Sequence, residues 1–469
     1  MTMQESSSEV DVVVVGAGLS GLSAAVALHE AGMSVMILEA KDRIGGKTYS
    51  VSNGDKGVVE LGAAWINDTN QSEMWALAQR YGFETVVQRA EGLDCVQSGD
   101  GSVKTQPYGV FAGSAEEKLQ VEALMDWITE AGKKWDPIDP SSMEDAAALD
   151  AITFKDYCDE QLPGGVASYM AGLATLGLLG VESIEVSALF MVDYIKSGTG
   201  VANMISDGKD GGQYLRNRRG NLQFSQYLAA ELKPDSIKLL HPVTAIEQLS
   251  PGCCIVRSGT KLTISCKKVI VSVPTCLYTH IVFTPPLPPS KYVLAATTHL
   301  GYTSKAICIY SSPWWRTLGL SGVLTSDIGP IAFTRDTCFL EDENYSIVCF
   351  IVGDAGRAWS GLDEHNKKKQ VTDQMKTMFA PGVPGGEVPE PTKVILQDWA
   401  KEEWIWGAPS AVLPLGALAN GAATELLRPV GNVHFVGTET SDVWKGYMEG
   451  AVRSGRRGAR EVVDGLGGK

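Results

Sequence analysis

The first forty residues alternate between short apolar runs and glycine-rich or polar breaks. Residues 10–15 form an almost uninterrupted β-branched run, which is typical of a strand buried on both faces. After a glycine-rich stretch, residues 22–31 have helical composition, with Gly32 as a stop. A second apolar run, residues 33–38, ends at Glu39. The pattern predicts a strand, a glycine turn, a helix and a second strand that ends in an acid.

The glycine-rich stretch reads Gly16-Ala-Gly18-Leu-Ser-Gly21, a G-x-G-x-x-G spacing. Gly16 permits a tight turn, Gly18 lets the backbone approach a pyrophosphate, and Gly21 lets the helix pack close to the strand. Glu39 lies 18 positions after Gly21, where an acid accepts hydrogen bonds from an adenosine ribose. A free ribose 2′-hydroxyl predicts FAD or NAD and disfavours NADP.

A second unit of the same kind lies near the C-terminus. Residues 433–436 form a strand-like run, Gly437 and Glu439 follow it, and a helical stretch continues to Val463. Two such units at opposite ends of the chain are unusual for a nicotinamide enzyme. They suit a long dinucleotide that is held by both chain ends, which favours FAD.

The composition and charge of the chain argue against several classes of protein. The 469 residues carry a net charge of −15 and a pI near 5.0, which argues against nucleic-acid binding. The longest uncharged stretch, residues 166–181, is shorter than the ~20 apolar residues of a spanning helix, so no membrane association is expected. Nine cysteines without a C-x-x-C pair, and an N-terminus without a signal-peptide pattern, predict an intracellular protein, cytoplasmic or peroxisomal. Six scattered histidines predict no metal site.

Several specific strings extend along most of the chain. They are Leu38-Glu-Ala40 with Arg43-Ile-Gly-Gly46, then Leu300-Gly-Tyr-Thr-Ser-Lys305, and Phe435-Val-Gly-Thr-Glu-Thr440 with Trp444-x-Gly-Tyr-Met-Glu-Gly-Ala451. With them the sequence resembles the flavin-containing monoamine oxidase family, and the soluble fungal type more than the membrane-anchored animal enzymes. The resemblance implies an α/β two-domain flavoprotein, in which a Rossmann-like FAD-binding domain is interleaved with a substrate domain of mixed sheet and helices. The expected FAD-binding segments are 1–85, 215–295 and 400–469, and the substrate segments are 86–214 and 296–399, with a helical lid over 115–200.

The resemblance also implies the cofactor contacts. At the adenosine and the pyrophosphate they are Gly16, Gly18, Ser20, Gly21, Glu39, Ala40, Lys41, Arg43, Gly46 and Lys47. At the adenine, the ribityl chain and the isoalloxazine they are Gly62, Ala63, Ala64, Trp65, Val243, Gly437, Glu439 and Met448. Cations and helix-start amides suit phosphates, and small residues suit the close passage of a flat ring.

Three residues are implied in the chemistry by the same resemblance. Lys305 would hold a water against flavin N5, Tyr447 would form one wall of an aromatic cage that orients the amine, and Trp399 would lie near the flavin. The implied substrate contacts are Gln213, Ile205 and Trp404. Judged without the resemblance, Lys305 is an edge-strand lysine that reaches solvent, and Tyr447 and Trp399 are core aromatic residues.

One departure from the family pattern changes the expected cofactor attachment. Many relatives read Gly-Gly-Cys-Tyr where this chain reads Trp406-Gly407-Ala408-Pro409. Because Ala408 stands in place of the cysteine, no thioether to the flavin can form, and the FAD is expected to be non-covalent. The adjacent tyrosine, the second wall of the cage, is also missing. Either Trp404, Trp406 or a shifted chain supplies an aromatic ring, or the wall is open and admits a bulkier substrate.

The resemblance implies oxidative deamination of a primary amine by O2, with an aldehyde or ketone, ammonia and hydrogen peroxide as products. Candidate substrates extend from simple alkyl or aryl amines to a large aliphatic amine such as fumonisin. The alternatives are a polyamine oxidase, an L-amino-acid oxidase, a desaturase with another electron acceptor and a flavin-binding protein without activity. An L-amino-acid oxidase would need an arginine for the carboxylate, for which Arg216, Arg218 and Arg219 are candidates. A homodimer is common in the family.

Overall fold

The computed structural model describes residues 8–111, 113–162, 165–250, 252–259 and 262–467. Its strands are β1 (Ser8–Val15), β2 (Val35–Leu38), β3 (Ser50–Ser52), β4 (Val58–Glu60), β5 (Thr85–Val87), β6 (Leu93–Gln97), β7 (Val103–Pro107), β8 (Leu215–Asn217), β9 (Ile237–Lys238), β10 (Val243–Ser250), β11 (Cys253–Ser258), β12 (Thr263–Val271), β13 (Val282–Thr284), β14 (His299–Leu300), β15 (Thr303–Tyr310), β16 (Leu320–Thr325), β17 (Phe333–Asp336), β18 (Tyr345–Val352), β19 (Lys393–Asp398), β20 (Ala411–Val412) and β21 (Val433–Phe435).

Its α-helices are α1 (Leu19–Glu30), α2 (Ser72–Arg80), α3 (Ala115–Lys133), α4 (Ala146–Ala151), α5 (Phe154–Gln161), α6 (Val166–Leu179), α7 (Ala188–Ser197), α8 (Val201–Met204), α9 (Leu222–Ala230), α10 (Pro289–Thr297), α11 (Trp314–Thr317), α12 (Gly353–Ser360), α13 (Glu364–Phe379), α14 (Ala422–Leu427) and α15 (Met448–Gly465). Three short 3-10 helices also contribute to the site described below: Thr275–His280, Trp399–Lys401 and Thr438–Thr440.

The larger sheet is built around β1. Its order is β13-β10-β11-β12-β1-β2-β9, and β21 also pairs with β12. β1 runs parallel to both neighbours, β12 and β2. Val12 and Val14 pack into one hydrophobic cluster, and Val13 and Val15 pack into another on the opposite face. This burial on both faces explains the unbroken apolar run that predicted the strand.

The second sheet carries the predicted strand around Lys305. Its order is β19-β15-β18-β17-β16-β6-β7, and β15 pairs antiparallel with both β18 and β19. All eight residues of β15 are buried. The strand is therefore confirmed, but the interpretation of Lys305 as an edge-strand lysine is wrong, because β15 has a neighbour on each side.

Two helices approach each other closely between the chain ends. The Ser20 hydroxyl of α1 lies 2.9 Å from the Ser454 hydroxyl of α15. A Cβ atom added at Gly455 would lie 2.2 Å from the Ser20 carbonyl oxygen, so only glycine permits this contact. The two ends of the chain are thus packed against each other, as the paired strand–glycine–acid–helix units predict.

The predicted helical region over 115–200 contains α3 to α7. The helix α3 begins with a capping box, in which Ser114 and Glu117 each accept a hydrogen bond from the other's backbone amide. The helices bury their apolar faces in one cluster, which also includes residues of α10 and α14 and is separate from the two clusters beside β1.

Two further properties concern the whole described chain. Among the described residues, no helix combines the length and the apolar character needed to cross a lipid bilayer. The nine cysteines are all free thiols, as the absence of a C-x-x-C pair predicts.

Candidate active site

A long cavity runs between the two sheets and collects residues from all parts of the chain. It is lined by the glycine turn after β1, the end of β2, the start of β10, the strand β15 and the start of α15. The predicted site residues that line it are Gly16, Gly18, Ser20, Glu39, Ala40, Lys41, Gly46, Lys47, Gly62, Ala63, Ala64, Trp65, Gln213, Val243, Lys305, Trp399, Trp404, Gly437, Glu439, Tyr447 and Met448.

Three predicted residues do not line this cavity. Gly21 lies behind it, where an added Cβ would be 2.1 Å from the Gly16 carbonyl oxygen. Arg43 stacks over the Tyr49 ring at 4.2 Å, and its Nη2 is buried without a hydrogen-bond partner among the described residues. Ile205 follows α8, is 51% exposed and does not line the cavity.

One end of the cavity has the features of a nucleotide site. Glu39 accepts hydrogen bonds from the amides of Ala17 at 2.6 Å and Lys41 at 2.9 Å, which fix its carboxylate at the cavity wall. Burial raises the pKa of Glu39, and those two amides oppose the rise. The first residues of α1 lie beside it, and the amides of a helix start have no partner within their own helix. This arrangement suits hydroxyl donors and an anion.

The two lysines expected at the phosphates make different contacts. The Lys41 ammonium lies 2.7 Å from the Glu402 carboxylate, in an ion pair that joins two distant segments. The Lys47 ammonium donates to the Pro409 carbonyl at 3.0 Å. Burial lowers the pKa of Lys47, and the nearby carboxylate of Glu439 opposes this effect.

A second helix start meets the cavity from the C-terminal segment. Met448 is the first residue of α15, and both it and Ala451 line the cavity. Gly437 has a φ of +149°, and Glu439 is held by the amide of Thr275 at 3.0 Å. The free amides of the first turn of α15 provide donors for electronegative atoms of a ring.

Lys305 enters the cavity from the middle of β15. It is 5% exposed, and its ammonium donates to the Gly62 carbonyl at 2.5 Å. The ammonium lies 5.1 Å from the centre of the Phe350 ring and 5.9 Å from that of Trp65, and these two rings stack on each other. Burial lowers the pKa of Lys305 to about 8, although Glu60 opposes the change.

Trp399 and Tyr447 occupy other walls near Lys305. The Trp399 indole donates to the Leu61 carbonyl at 3.0 Å, which fixes it one residue before the carbonyl that Lys305 holds. Tyr447 packs edge-on against Trp444, with ring centres 4.8 Å apart. Burial raises the pKa of Tyr447, and a hydrogen bond from Gln213 opposes this effect. The sequence prediction is that Lys305, Tyr447 and Gln213 share one site, and the structure brings all three to one cavity.

The two tryptophans in or beside the segment that departs from the family pattern, Trp404 and Trp406, lie in different surroundings. Trp404, Ala408 and Pro409 line the cavity. Trp406 is 41% exposed and packs edge-on against His280, so it is not the missing second wall.

The part of the cavity beyond Lys305 is mainly apolar. Residues that sequence reasoning missed there are Leu178, Tyr194, Phe350 and Val352. Their positions in apolar helix and strand runs are those of ordinary core residues, so no signal in the sequence identified them. Ile205 is not among the residues that line this part of the cavity.

Charged groups are few along this lining. Among the described lining residues, the carboxylates are Glu39 and Glu439, and none of the cations is an arginine. Arg216 donates to the Cys338 carbonyl at 2.8 Å, and Arg218 forms ion pairs with Asp342 and its neighbours. Both arginines line a separate groove, so the structure places them away from the amine end of the cavity.

The cavity fits the FAD that the sequence predicts. It offers a glycine turn and an acid at one end and a mainly apolar space beside Lys305 at the other, and the starts of α1 and α15 both meet it. The buried Nη2 of Arg43 is a donor without a partner among the residues that the structure describes, and a cofactor phosphate could accept its hydrogen bond. An added Cβ at Gly18 would meet no heavy atom within 4 Å, which leaves the backbone open to a phosphate.

Comparison with known proteins agrees with this geometry. The family described as flavin containing amine oxidoreductase matches residues 19–463. A flavin-containing amine oxidase of Oncorhynchus mykiss is 33% identical over 466 residues, which cover 97% of this chain and 86% of that protein. The flavin-containing amine oxidase B of Sus scrofa is 31% identical over 467 residues, which cover 98% and 87%.

Solved structures show the same fold. Putrescine oxidase bound to putrescine superposes with a TM-score of 0.90 at 28% identity, covering 98% of this chain and 100% of that chain. Cyclohexylamine oxidase from Brevibacterium oxydans gives a TM-score of 0.89 at 28% identity, with the same coverage. The chain therefore belongs to the flavin-containing amine oxidase family, and it is an FAD-dependent oxidoreductase that acts on amines.

Proposed function

We propose that this enzyme oxidises primary monoamines with an apolar tail, using O2 as the acceptor and releasing an aldehyde or ketone, ammonia and hydrogen peroxide. The observation that carries the proposal is the apolar end of the cavity beside Lys305 and Tyr447. Among its described residues, it has no carboxylate for a second ammonium and no arginine for a substrate carboxylate. Burial of an unpaired charge there would be costly.

Residues of this chain would prepare the amine for oxidation. The ring of Tyr447 and the amide of Gln213 would orient the amine nitrogen, and the stacked rings of Trp65 and Phe350 would exclude water. Lys305 would hold a water at the edge of the ring site. Bound FAD would supply the redox chemistry, namely the acceptance of two electrons and the α-hydrogen from the amine and the transfer of electrons to O2.

The protonation state of the amine sets a requirement on this site. Oxidation needs the nitrogen lone pair, so the neutral amine is the reactive form. An apolar site with no described carboxylate near Tyr447 favours the neutral form over the ammonium ion.

The FAD is proposed to be held without a covalent bond. Ala408 lines the cavity where a thiol would be needed for a thioether, and the described cysteines lie elsewhere. Retention would then depend on the helix starts, Glu39 and the residues that cover the dinucleotide.

The oxidation of polyamines and L-amino acids is less well supported. The putrescine and cyclohexylamine oxidases share the fold, and their names give two contrasting amines, a linear diamine and a cyclic monoamine. The apolar lining of the cavity beside Lys305 favours a monoamine over a diamine. A large aliphatic amine such as fumonisin stays a candidate, since Pro409 stands where the tyrosine of the second wall is expected.

Matched pairs of amines test the proposal in a peroxide-coupled assay. Butylamine and putrescine differ by one terminal ammonium, and 3-methylbutylamine and L-leucine differ by one carboxylate. We expect kcat/KM to be at least about a hundredfold higher for the member without the extra charge, because that charge would have no partner in the site. Putrescine or leucine as the better substrate of its pair would refute the proposed substrate class. Turnover without peroxide would refute O2 as the acceptor.

A further inference from the structure

A short segment covers the nucleotide end of the cavity. We call residues 402–406 the strap, which follows the 3-10 helix Trp399–Lys401. Trp404 and Ile405 face inward and line the cavity, whereas Glu403 and Trp406 are exposed. The strap therefore has an inner face toward the dinucleotide site and an outer face toward solvent.

One attachment fixes the start of the strap to the ribose-binding end of β2. The Lys41 ammonium lies 2.7 Å from the Glu402 carboxylate and 3.4 Å from the Glu403 carbonyl. The second Glu402 oxygen accepts from Gln397 at 2.8 Å. The two charged side chains are 14% and 25% exposed, so their attraction is only partly screened by water.

The ionised form of Glu402 is favoured in this position. Burial acts to raise the pKa of Glu402, but the hydrogen bonds from Lys41 and Gln397 outweigh it, and the pKa lies below its usual value. The ion pair with Lys41 is therefore fully formed at neutral pH.

A second attachment fixes the far end of the strap. The ring of Trp406 packs edge-on against His280, with ring centres 4.4 Å apart. His280 ends the 3-10 helix Thr275–His280 and also lines the cavity. The strap thus connects two residues that line the cavity, Lys41 at its start and His280 at its end.

The backbone of the strap is strained between these attachments. Trp404 has a φ of +67° and Trp406 a φ of +61°, a region that is uncommon for bulky residues. Such a conformation persists only where the surroundings hold it. Loss of an attachment should therefore let the strap relax away from the cavity.

We infer that the strap retains the dinucleotide and that the Lys41–Glu402 ion pair is its latch. The inference rests on the proposed non-covalent attachment of FAD, since a thioether would make a cover unnecessary for retention. In this chain, which has Ala408 in place of a thiol, the cofactor leaves only when the latch opens.

Another role for Lys41 predicts the opposite result. If Lys41 served mainly as a cation for the pyrophosphate, then Glu402 would compete with the phosphate for it. Removal of the Glu402 charge would then strengthen FAD binding. In the latch, the same change weakens it.

The test measures FAD release from the purified holoenzyme as the rise in flavin fluorescence after dilution. We expect release to be about tenfold faster for Glu402→Gln and faster still for Glu402→Ala, because the first loses the charge and the second also loses the hydrogen bonds. Addition of salt should accelerate release from the unsubstituted enzyme and have little effect on Glu402→Gln. Glu403→Gln is the matched control, since its side chain takes part in none of the ion pairs among the described residues, and its release rate should be unchanged.

The possible results separate the two proposals. Unchanged or slower release from both Glu402 variants, with flavin that is set free by acid precipitation, would overturn the latch alone. Flavin that stays with the acid precipitate would overturn the non-covalent attachment, and the latch with it. Equal acceleration by Glu403→Gln would show that the charge of the strap as a whole matters and would also overturn the latch.

Discussion

Replacement of Lys305 by methionine should make the protein more stable and the enzyme much less active. The Lys305 ammonium is buried in the interior, and its pKa is lowered from 10.5 to about 8. At pH 7 the lysine is charged in both the folded and the unfolded chain, so the folded state carries a penalty for this burial. The gap between the two pKa values corresponds to about 3 kcal/mol.

The loss of a hydrogen bond offsets part of this gain in the free energy of unfolding. Lys305→Met leaves the Gly62 carbonyl without its donor, which costs about 1–2 kcal/mol. The net expectation is a free energy of unfolding about 1–2 kcal/mol higher at pH 7. Because the unfolded lysine keeps its proton up to pH 10.5 while the folded one releases it from about pH 8, the penalty shrinks across that window. The advantage of the variant should therefore vanish between about pH 9 and 10, where the shrinking penalty equals the cost of the lost hydrogen bond.

The assay is urea unfolding of the flavin-free protein at pH 7 and pH 10, followed by tryptophan fluorescence. Turnover of the holoenzyme should fall about a hundredfold, the size expected when one fixed polar group is removed from a reaction site. Lys291→Met is the matched control, since Lys291 is another buried lysine with a pKa of about 8, is held by two carbonyls of α14 and does not line the cavity. A fully active Lys305→Met that is less stable at both pH values would refute the reasoning, because Lys305 would then be structural only.

The amine, Tyr447 and the first glycines give three further tests. For a primary alkylamine, kcat/KM should climb between about pH 7 and 9, because the neutral form reacts and its ammonium has a pKa near ~10; a flat profile would contradict this. Tyr447→Phe should lower kcat/KM by less than about threefold and Tyr447→Leu by about tenfold or more, because the face of the aromatic ring orients the amine. Equal losses in the two variants would indicate that the hydroxyl group is the important part of Tyr447. Gly18→Ala should melt normally by circular dichroism yet bind FAD weakly in fluorescence titration, because its Cβ meets no protein atom within 4 Å. Gly21→Ala should lower the melting temperature, because its Cβ would lie 2.1 Å from the Gly16 carbonyl oxygen; identical behaviour of the two variants would contradict the distinction.

The parts of the fold that could be predicted from the sequence are those determined by residues that follow one another in the chain. The strand β1 and the turn at Gly16 are local patterns, since alternate valines fill two clusters and a glycine permits a φ of +101°. The strand β2 begins at Val35 rather than at Met33, because Met33 and Ser34 belong to the connection after α1, where the amide of Met33 donates a hydrogen bond to the Leu28 carbonyl. Helix α1 begins earlier than its composition indicates, because Gly18 acts as its N-cap.

The residues of the candidate site also fall into two groups, those that a local pattern predicts and those that depend on residues distant in the sequence. The glycine turn and Glu39 could be predicted from their spacing, whereas contacts such as that of Met448 were implied only by the resemblance to the family. Lys305 could be singled out only by resemblance, because a lysine in an apolar run is read as an edge residue until β18 and β19 are seen on either side of it.

The substrate preference that we propose could not be predicted from the sequence, for a different physical reason. It depends on which charged side chains do not reach the amine, and Arg216 and Arg218 follow Gln213 by only a few residues. In a strand, successive side chains point to opposite faces, and a turn between two residues can redirect the chain entirely. The ion pair between Lys41 and Glu402 joins residues 361 positions apart, which no local pattern can reveal. In this chain the glycine turn and Glu39 are therefore predictable from contiguous residues, whereas the substrate choice and the cofactor retention that we propose depend on contacts between segments that meet only in the folded protein.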